Sequence, residues 1–502
     1  MYKLKRNILL IFLTLLLMSC KNDLKCYILP STENVDSYKN FASDTKISLV
    51  MAKAEYEHFQ LVFETIPNEE YSICNQQENA DLTFNFRKIE SINGYDDVLV
   101  PTGKQILAQD TIVKLWVTCQ SGYNTKPGTY KEQMVLIGKK SKQTIHINVT
   151  VYNVELPIKP SIPAAFGIID KNLYDSTKLE SEEQENIRLK WADLCLNYRI
   201  NPYFSTWLEK SMKHEAHSSP WKWNDVRTAK FLADERFNRY ALPYHSLQKQ
   251  ELKEMLQTYE EAGILKKAYF YLWDEPVLTS EYQQINDFAQ EIHEISPQAS
   301  VLTTFYCGPK DGKFKDQLFS VFDLWKGNTQ IYCMSAWALK TDETKADTCR
   351  TLLQNDDEWW TYVCMGPDGK EPNLLLSMTG YQHRAVLWRS WKEKTTGFLY
   401  WAVNAFDDMK KLTYRKDLPA GDGVLIYPGE LFNCKDPVVS IRLERWRDGI
   451  EDYEYLKLLE QKVGRAKAES IFNSIYQSPV EYTNNYTQIN KFRETVLDIL
   501  KK

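Results

Sequence analysis

Few residues of this sequence are of the kinds that build metal and redox centres. Its seven histidines form neither an HExxH motif nor a His-x-His pair, and its ten cysteines include no CxxC pair. Zinc sites rely on such spacings, so we predict no metal site and no cofactor. The nine cysteines after Cys20 are an odd number and scattered, so we expect at most one or two disulfides rather than a disulfide framework. Cysteines scattered in this way are usually buried as small apolar side chains.

Positive charge is not in excess either. The chain carries a formal net charge of -5 at pH 7. Nucleic acids and anionic membrane surfaces bind basic protein surfaces, so the charge balance argues against both as partners. A glycine-rich strand-to-helix turn of the type that dinucleotide-binding domains require is also missing from the sequence.

Aromatic residues, in contrast, are abundant. They make up 13% of the chain, with 14 Trp and 30 Tyr. Sugar rings pack their apolar C–H faces on indole and phenol rings, so this composition is typical of proteins that handle carbohydrates. Large aromatic side chains also fill hydrophobic cores, and the composition by itself leaves both explanations open.

The N-terminal segment MYKLKRNILLIFLTLLLMSC has the features of an export signal. A basic start precedes an apolar run of roughly a dozen residues, which is short for a membrane-spanning helix. The ending resembles a bacterial lipobox, in which Cys20 becomes the lipidated first residue. We therefore predict a signal peptide over residues 1–20 and an exported bacterial lipoprotein, periplasmic or at the cell surface, whose only membrane contact is its lipid anchor. The alternative is an uncleaved anchor helix.

Residues 26–158 are predicted to form a β-sandwich. Short runs rich in Val, Ile, Thr and aromatic residues, several of them alternating with period two, are separated by polar clusters. Many short strands at this spacing are typical of a sandwich. The runs TYKEQMVLI and SKQTIHINVTVYNV, joined by Gly138-Lys139-Lys140, predict a hairpin.

Residues 160–462 change to a rhythm of strand, loop and helix, which predicts a (β/α)8 barrel. The eight predicted strands lie in the segments AAFGIID, NPYFSTW, YALPYHS, AYFYLW, SVLTTFYC, TQIYCMSAW, WWTYVCM and TGFLYWAVNAF. An open, doubly wound sheet is the alternative. Residues 463–502 are predicted to be a C-terminal helical extension.

Several helices of this region have recognisable signals. Ser181 with Gln184, and Ser280 with Gln283, have the spacing of a capping box. Leu189, Ala192, Cys195 and Leu196 are expected to share one apolar face of the first helix. The later segment RWRDGIEDYEY lies in an amphipathic helix, and we expect its charges to form the solvated face rather than to be catalytic. The charged residues in question are Asp448, Glu451 and Asp452.

Two adjacent carboxylates, Asp274 and Glu275, directly follow the buried run AYFYLW, and Pro276 ends the strand. On a barrel this is the C-terminal end of the fourth strand, the end at which active sites of this fold lie. Neighbouring carboxylates raise each other's cost of ionisation, so the pair is unfavourable unless it is used. The alternative is a charged strand–loop junction in which Asp274 caps a turn.

Adjacent carboxylates favour one kind of glycosidase chemistry. Retaining glycosidases usually carry nucleophile and acid on separate strands, whereas substrate-assisted enzymes use the 2-acetamido oxygen of the sugar as the nucleophile. One carboxylate then orients the acetamide and stabilises the oxazolinium ion, and its neighbour protonates the leaving oxygen and later activates water. We predict Asp274 as the stabiliser and Glu275 as the general acid/base.

Four segments in the same order resemble glycoside hydrolase family 123. They are YLWDEP, GFLYWAVNAF, GDGVLIYPG and SIRLERWRDGIEDYEYLKLL. The resemblance covers roughly residues 160–460, and the upstream sandwich with AEYEHFQLVF is also similar to the architecture of that family. It implies retaining hydrolysis of β-N-acetylgalactosaminides by an Asp-Glu pair, which falls here on Asp274 and Glu275.

Six further residues are candidates for substrate binding because they lie in or after predicted barrel strands. They are Trp401, Asn404, Tyr362, Trp360, Asn373 and Tyr306. Trp401 is expected to form the floor under the sugar, Asn404 to bond a hydroxyl, and Tyr362 to hold the acetamide. For each of them, core packing or a loop cap is the alternative.

The sequence therefore predicts an exo-acting glycosidase whose partner is an oligosaccharide or glycoconjugate with terminal β-linked N-acetylgalactosamine. A glycosidase for other sugars, such as β-N-acetylglucosaminides, is one alternative. A carbohydrate-binding lipoprotein without activity is another, and the intact pair Asp274 and Glu275 argues against it.

Overall fold

A computed structural model of the protein describes residues 22–75, 81–173, 180–205, 217–218, 223–245, 247–354 and 356–501. Cys20 and the predicted signal peptide lie outside the described residues. The chain divides into two compact units, the first ending at Glu155 and the second running from Leu156 to Leu500. No helix within the described ranges is long and apolar enough to cross a membrane.

The first unit is built from β-strands that form two sheets. In chain order the strands are β1 (Asn22–Asp23), β2 (Cys26–Pro30), β3 (Lys46–Lys53), β4 (Tyr56–Glu64), β5 (Glu70–Asn75), β6 (Leu82–Ile92), β7 (Tyr95–Pro101), β8 (Gln105–Leu107), β9 (Ile112–Ser121), β10 (Gly128–Ile137) and β11 (Ser141–Glu155). One sheet has the order β1-β11-β10-β5-β8 with β3 parallel to β11, and the other contains the antiparallel series β2-β4-β9-β6-β7.

A hydrophobic core joins the inner faces of these two sheets. Alternate residues such as Leu61 and Phe63 on β4, Leu136 on β10 and Val149 on β11 pack in one buried cluster. This is the predicted sandwich, in which alternation places every second side chain in the core. The predicted hairpin is confirmed, because β10 and β11 pair antiparallel up to Ile137 opposite Lys142.

The second unit contains eight parallel strands. They are β12 (Ala164–Ile169), β13 (Asn201–Ser205), β15 (Tyr240–Leu242), β16 (Ala268–Trp273), β17 (Val301–Phe305), β18 (Ile331–Ser335), β19 (Glu358–Val363) and β20 (Gly397–Tyr400), with β14 (His217–Ser218) antiparallel beside β13. Pairing runs from β15 through β20 to β12 and β13, so the last strand closes on the first. The barrel is nearly closed, and each of the eight predicted segments supplies one strand.

Twelve helices of the described chain belong to this second unit. They are α1 (Ser181–Asn197), α2 (Val226–Leu232), α3 (Lys249–Glu261), α4 (Thr279–Ile295), α5 (Ser320–Leu324), α6 (Ala336–Leu339), α7 (Glu343–Leu352), α8 (Gly380–Arg384), α9 (Val386–Glu393), α10 (Ile441–Val463), α11 (Arg465–Phe472) and α12 (Tyr486–Leu500). Helices follow barrel strands throughout. Helices α10, α11 and α12 follow the barrel strands, which agrees with the predicted helices at the C-terminal end.

The helix starts differ from the predicted caps. Helix α1 begins after Glu180, whose backbone N–H donates to the Glu183 carboxylate at 3.2 Å, so the prediction of Ser181 with Gln184 is one residue late. Leu189 is 37% exposed, and Trp191 packs in the core instead.

Helix α4 shows the same kind of error. Its Glu281 carboxylate accepts the backbone N–H groups of Val277 at 2.6 Å and Leu278 at 2.9 Å. Ser280 and Gln283 therefore do not form the cap. Several carboxylates, hydroxyls and amides lie close to this helix start in the sequence, and spacing alone does not decide which of them turns back to the backbone.

The prediction of a solvated, charged face on α10 is wrong. Asp448, Glu451 and Asp452 are all buried. Arg384 of α8 binds the Asp452 carboxylate with two hydrogen bonds of 2.7 and 2.8 Å. Gly449 lies against α8, where a Cβ atom would collide with the Arg384 carbonyl. Asp448 and Asp452 are thus paired inside the protein, with an arginine far away in the sequence.

Candidate active site

The carboxylate pair lies where β16 leaves the barrel. The strand ends at Trp273, and the following Glu275 adopts a φ of +50°, in the left-handed region that residues other than glycine rarely enter. The pairing of β16 with β17 also shifts register just before this point. Because the backbone turns here, Asp274 and Glu275 do not point to opposite faces as on a regular strand. Both reach tyrosines of the barrel interior.

Asp274 is held by two hydroxyl groups. The Thr304 hydroxyl on β17 donates to Asp274 Oδ1 at 3.0 Å, and the Tyr271 hydroxyl on β16 lies at the same distance. Tyr271 and Thr304 also lie 2.9 Å apart. Burial, together with the nearby Asp274 charge, raises the pKa of Tyr271 well above its usual value, so its hydroxyl stays protonated and remains a donor. The carboxylate is therefore fixed in one orientation.

Glu275 has a different environment. The Tyr362 hydroxyl on β19 donates to Glu275 Oε1, and the backbone N–H of Glu275 donates to the Thr304 hydroxyl at 3.2 Å. Burial and the charge of Glu275 raise the pKa of Tyr362 well above its usual value, so this hydroxyl is also a permanent donor. Both carboxyl groups are half-buried and open to the barrel mouth, the C-terminal end of the strands.

Directly below the pair, the barrel interior is lined by tyrosines and a cysteine. Tyr203, Tyr271, Cys333 and Tyr362 belong to one buried cluster inside the strands. Burial and the Asp274 charge raise the pKa values of Tyr203 and Cys333 well above their usual range. The carboxyl pair thus lies over neutral tyrosine and cysteine side chains, a setting in which electrostatic interactions with a bound substrate are strong.

Trp401 and Tyr306 each directly follow the C-terminal end of a barrel strand. Trp401 follows β20 and is half-buried, and its indole N–H donates to Asp422 Oδ1 at 3.0 Å. Tyr306 follows β17 and is 39% exposed. Its pKa is raised by burial, by Cys307 and by Glu275, which places the phenol near the second carboxylate.

Trp360 and Tyr362 both face the barrel interior, in agreement with the predicted alternation. Only Tyr362 meets the carboxylate pair. Trp360 lies one step of the alternation deeper, where its indole N–H donates to Glu358 at 2.9 Å and its ring packs on Tyr269. It is fully buried, so its surroundings correspond to the core-packing alternative.

Asn404 and Asn373 are both buried completely and bond to the backbone. The Asn404 amide exchanges two hydrogen bonds with the backbone of Ile169, at 2.8 and 3.0 Å, and so ties the loop after β20 to β12. Asn373 donates to the carbonyls of Cys364 and Pro367 at 2.9 and 2.8 Å. The structure does not bring either side chain to the carboxylate pair, and both act as loop clamps.

Sequence reasoning missed Thr304, Tyr271 and Asp422. Thr304 is one of two threonines in the run SVLTTFYC, and a polar residue near the end of a buried strand was the available signal. Tyr271 lies two residues after Tyr269 on β16, so the two side chains face the same side of the sheet. Asp422 lies between two glycines in GDGVLIYPG. The structure shows that it is buried, and buried acids have functional roles more often than exposed ones.

The described ranges contain no group of three or more His, Cys, Asp or Glu side chains arranged to hold a metal ion. The nine cysteines in those ranges are all free thiols, and five of them are buried.

A carboxyl pair at the C-terminal mouth of a (β/α)8 barrel, above aromatic side chains, is the organisation of a glycoside hydrolase. Residues 190–459 match the model of the catalytic domain of glycoside hydrolase 123, which is more than half of the chain. The chain therefore belongs to glycoside hydrolase family 123, and the resemblance of the four sequence segments is confirmed.

A solved structure agrees with this fold. A family 123 glycoside hydrolase from Clostridium perfringens, described for glycolipid glycan hydrolysis, superimposes with a TM-score of 0.67 at 14% identity, covering 95% of this chain and 97% of that one. Two further enzymes align with low TM-scores and add no argument. They are a β-D-glucuronidase for Dictyoglomus thermophilum (TM-score 0.32, 11% identity, 78% of this chain and 66% of that one) and a GH10 xylanase from termite gut (TM-score 0.31, 10% identity, 82% and 100%). No curated protein matches the sequence.

Proposed function

We propose that this glycoside hydrolase is a retaining exo-β-N-acetylgalactosaminidase that works by substrate assistance. The main supporting observation is that the two adjacent carboxyl groups accept hydrogen bonds from different side chains. Asp274 is fixed by Tyr271 and Thr304, whereas Glu275 accepts from Tyr362 on another strand. A carboxylate fixed by two hydroxyls suits the orientation of an acetamide, and its half-buried neighbour suits proton transfer.

In the first step, the acetamide N–H of the bound sugar donates to Asp274, and the acetamide oxygen attacks the anomeric carbon. Glu275 gives its proton to the glycosidic oxygen, so the C–O bond breaks and the alcohol leaves. The oxazolinium ion that forms is stabilised by the Asp274 carboxylate. In the second step, Glu275 takes a proton from water, which attacks the same carbon and opens the ring. Two inversions give retention.

Galactosamine as the sugar is proposed from the family resemblance of the segments around Asp274 and Glu275. The Clostridium perfringens relative hydrolyses glycolipid glycans, which is consistent with a terminal sugar as substrate. A glucosaminide, which differs only at the O4 position, is the alternative that the experiment below separates.

The test is nitrophenol release from the 4-nitrophenyl β-glycosides of N-acetylgalactosamine and N-acetylglucosamine. Wild type is compared with Asp274→Asn, Glu275→Gln and the control Glu294→Gln, an exposed acid on α4. We expect wild type to hydrolyse the galactosaminide. The turnover rate should fall about 100- to 10,000-fold in both site variants and should stay at the wild-type value in the control. Turnover of the glucosaminide alone would overturn the sugar, and full activity of both site variants would overturn the mechanism.

Two further measurements address substrate assistance directly. The thiazoline analogue of the oxazolinium ion should inhibit wild type competitively, because it resembles the intermediate. Azide should restore turnover in the Glu275→Gln variant and give a β-glycosyl azide, since azide attacks without needing a base. An α-azide, or no inhibition by the thiazoline, would argue for a different nucleophile.

We also propose that the protein is an exported lipoprotein anchored at Cys20. The basic, apolar and lipobox-like parts of residues 1–20 support this. Labelling of cells with a palmitate analogue should mark the wild-type protein and leave Cys20→Ser unmarked. Equal labelling of both would contradict the anchor.

A further inference from the structure

A turn in the long connection between β20 and α10 contains a buried carboxylate that the proposed reaction does not use. Asp422 is only 3% exposed. Its Oδ1 accepts the indole N–H of Trp401 at 3.0 Å and the hydroxyl of Tyr400 at 3.2 Å. The other oxygen, Oδ2, is buried and has no hydrogen-bond partner within the described residues. A buried oxygen without a partner costs folding free energy, so Asp422 calls for an explanation beyond stability.

The same turn is shaped around Trp401. Gly423 has a φ of +70°, and a Cβ atom there would collide with the Trp401 ring. Gly423 therefore packs on the indole ring, and Asp422 accepts the indole N–H. The hydroxyl of Tyr400 also accepts the backbone N–H of Gly423 at 2.8 Å, which ties the turn to β20. Trp401 is held at two points, and the residue as a whole is half-buried directly after the last barrel strand.

We propose that Asp422 is a positioning residue, which acts through Trp401 by fixing the indole ring against which the sugar packs and thereby sets the affinity for the sugar. This inference rests on the proposed function of the site. Asp422 does not reach the reacting atoms, because its side-chain partners are Trp401 and Tyr400 and its Oδ2 atom is closed to solvent. Its effect is expected on KM more than on kcat.

The ionised form of Asp422 is the better acceptor for the indole N–H. Burial raises the pKa of Asp422 to about 6, and the bonds from Trp401 and Tyr400 and the Arg442 charge oppose that shift. The other charged and titratable groups nearby are Arg415, whose guanidinium lies 5.9 Å from the centre of the Trp401 ring, and Cys364, whose thiol pKa is raised by burial and by Asp422. The hold on Trp401 should weaken as pH falls through about 6.

The experiment measures kcat and KM with the 4-nitrophenyl galactosaminide from pH 5 to 8 for wild type, Asp422→Asn, Trp401→Phe and the double variant. We expect KM in Asp422→Asn to rise about 3- to 10-fold at pH 7.5, with a smaller change in kcat. The rise of wild-type KM below about pH 6 should be absent from the variant. Because Trp401→Phe removes the indole N–H, the double variant should be no worse than the worse single variant. Independent, multiplying effects would overturn the proposal.

Near-UV circular dichroism keeps this test separate from the proposed function. The signal that Trp401 contributes, obtained by subtracting the Trp401→Phe spectrum, should change with a midpoint near pH 6 and without any sugar present. If wild type hydrolyses neither glycoside, the proposed function fails, but this titration still tests the pair. A Trp401 signal that does not titrate overturns the inference. If Asp422→Asn does not fold, Trp401→Phe alone tests the proposal. The change in KM near pH 6 that wild type shows must then be absent from Trp401→Phe, which lacks the indole N–H.

Discussion

Thr304 links the two carboxyl groups of the site, although it lies on the neighbouring strand. Its hydroxyl donates to Asp274 Oδ1 at 3.0 Å and accepts the backbone N–H of Glu275 at 3.2 Å. One side chain therefore fixes the orientation of the first carboxylate and the backbone of the second residue. The left-handed backbone at Glu275 depends on such support, because few interactions favour that conformation for a residue with a side chain.

Thr304→Val should disturb the pair while keeping the shape of the core. We expect kcat to fall about 10- to 100-fold, since both Asp274 and Glu275 lose a fixed hydrogen bond. Thr303→Val is the matched control, because Thr303 is equally buried and its hydroxyl contacts Thr329 rather than the carboxyl groups. Rates are measured with the nitrophenyl galactosaminide and thermal midpoints by circular dichroism. Equal losses in both variants would mean that Thr304 contributes only to folding.

Tyr362→Phe removes the hydroxyl that donates to Glu275. We expect kcat/KM to fall about 10- to 100-fold, because the proposed acid loses the group that orients it. Tyr269→Phe is the control, since Tyr269 lies on the same inner face one level deeper and packs on Trp360. A Tyr362→Phe variant as active as the control would show that the hydrogen bond to Glu275 has no part in turnover.

Asp452 holds a buried ion-pair cluster, and its loss should be costly for stability. It accepts two hydrogen bonds from Arg384 and one from the Trp388 indole at 2.9 Å. Asp452→Asn should lower the free energy of unfolding by about 3 to 5 kcal/mol, because the buried Arg384 and Arg493 would share only the remaining charge of Asp448. Asp436→Asn, which breaks the exposed pair with Lys190, should change it by about 1 kcal/mol or less. Similar thermal midpoints of the two variants would contradict this difference.

The ionisation of Asp422 should also be visible in the pH dependence of stability. Burial raises its pKa in the folded protein to about 6, from 3.8. The folded state therefore binds the proton more tightly, so this stabilisation is full below pH 3.8 and is lost as pH rises through 6. A shift of this size corresponds to about 3 kcal/mol. The thermal midpoint of Asp422→Asn should rise relative to that of wild type between pH 5 and pH 7.5. A difference between the two midpoints that does not change with pH would contradict the prediction.

The barrel and the place of the carboxylate pair could be predicted because they rest on local patterns. Each strand is a short buried run bounded by polar residues, and the run AYFYLW ends directly at Asp274 and Glu275. Strand order in a (β/α)8 barrel follows chain order, so the end of the fourth strand is fixed once the strands are found.

The partners of the pair could not be predicted in the same way. Thr304 meets Asp274 only through the lateral register of β16 and β17, which shifts at an irregularity that no sequence pattern marks. Asn404 was a reasonable candidate for a sugar ligand, but buried backbone groups of Ile169 need partners and take both atoms of its amide. The charges of α10 were misjudged for a similar reason, because Arg384 lies on another helix.

The backbone at Glu275 has a consequence for the evolution of this position. Its φ of +50° is a conformation in which glycine is relaxed and any other residue is strained by about 1 to 2 kcal/mol. A selection for stability alone would therefore place glycine at the tip of β16. Glu275→Gly should consequently melt higher than Glu275→Gln while both are inactive, since only the first relieves the strain. The strained backbone at Glu275 lowers the stability of the fold. Under the proposed function, glutamate is retained at this position because its carboxyl group is required for catalysis.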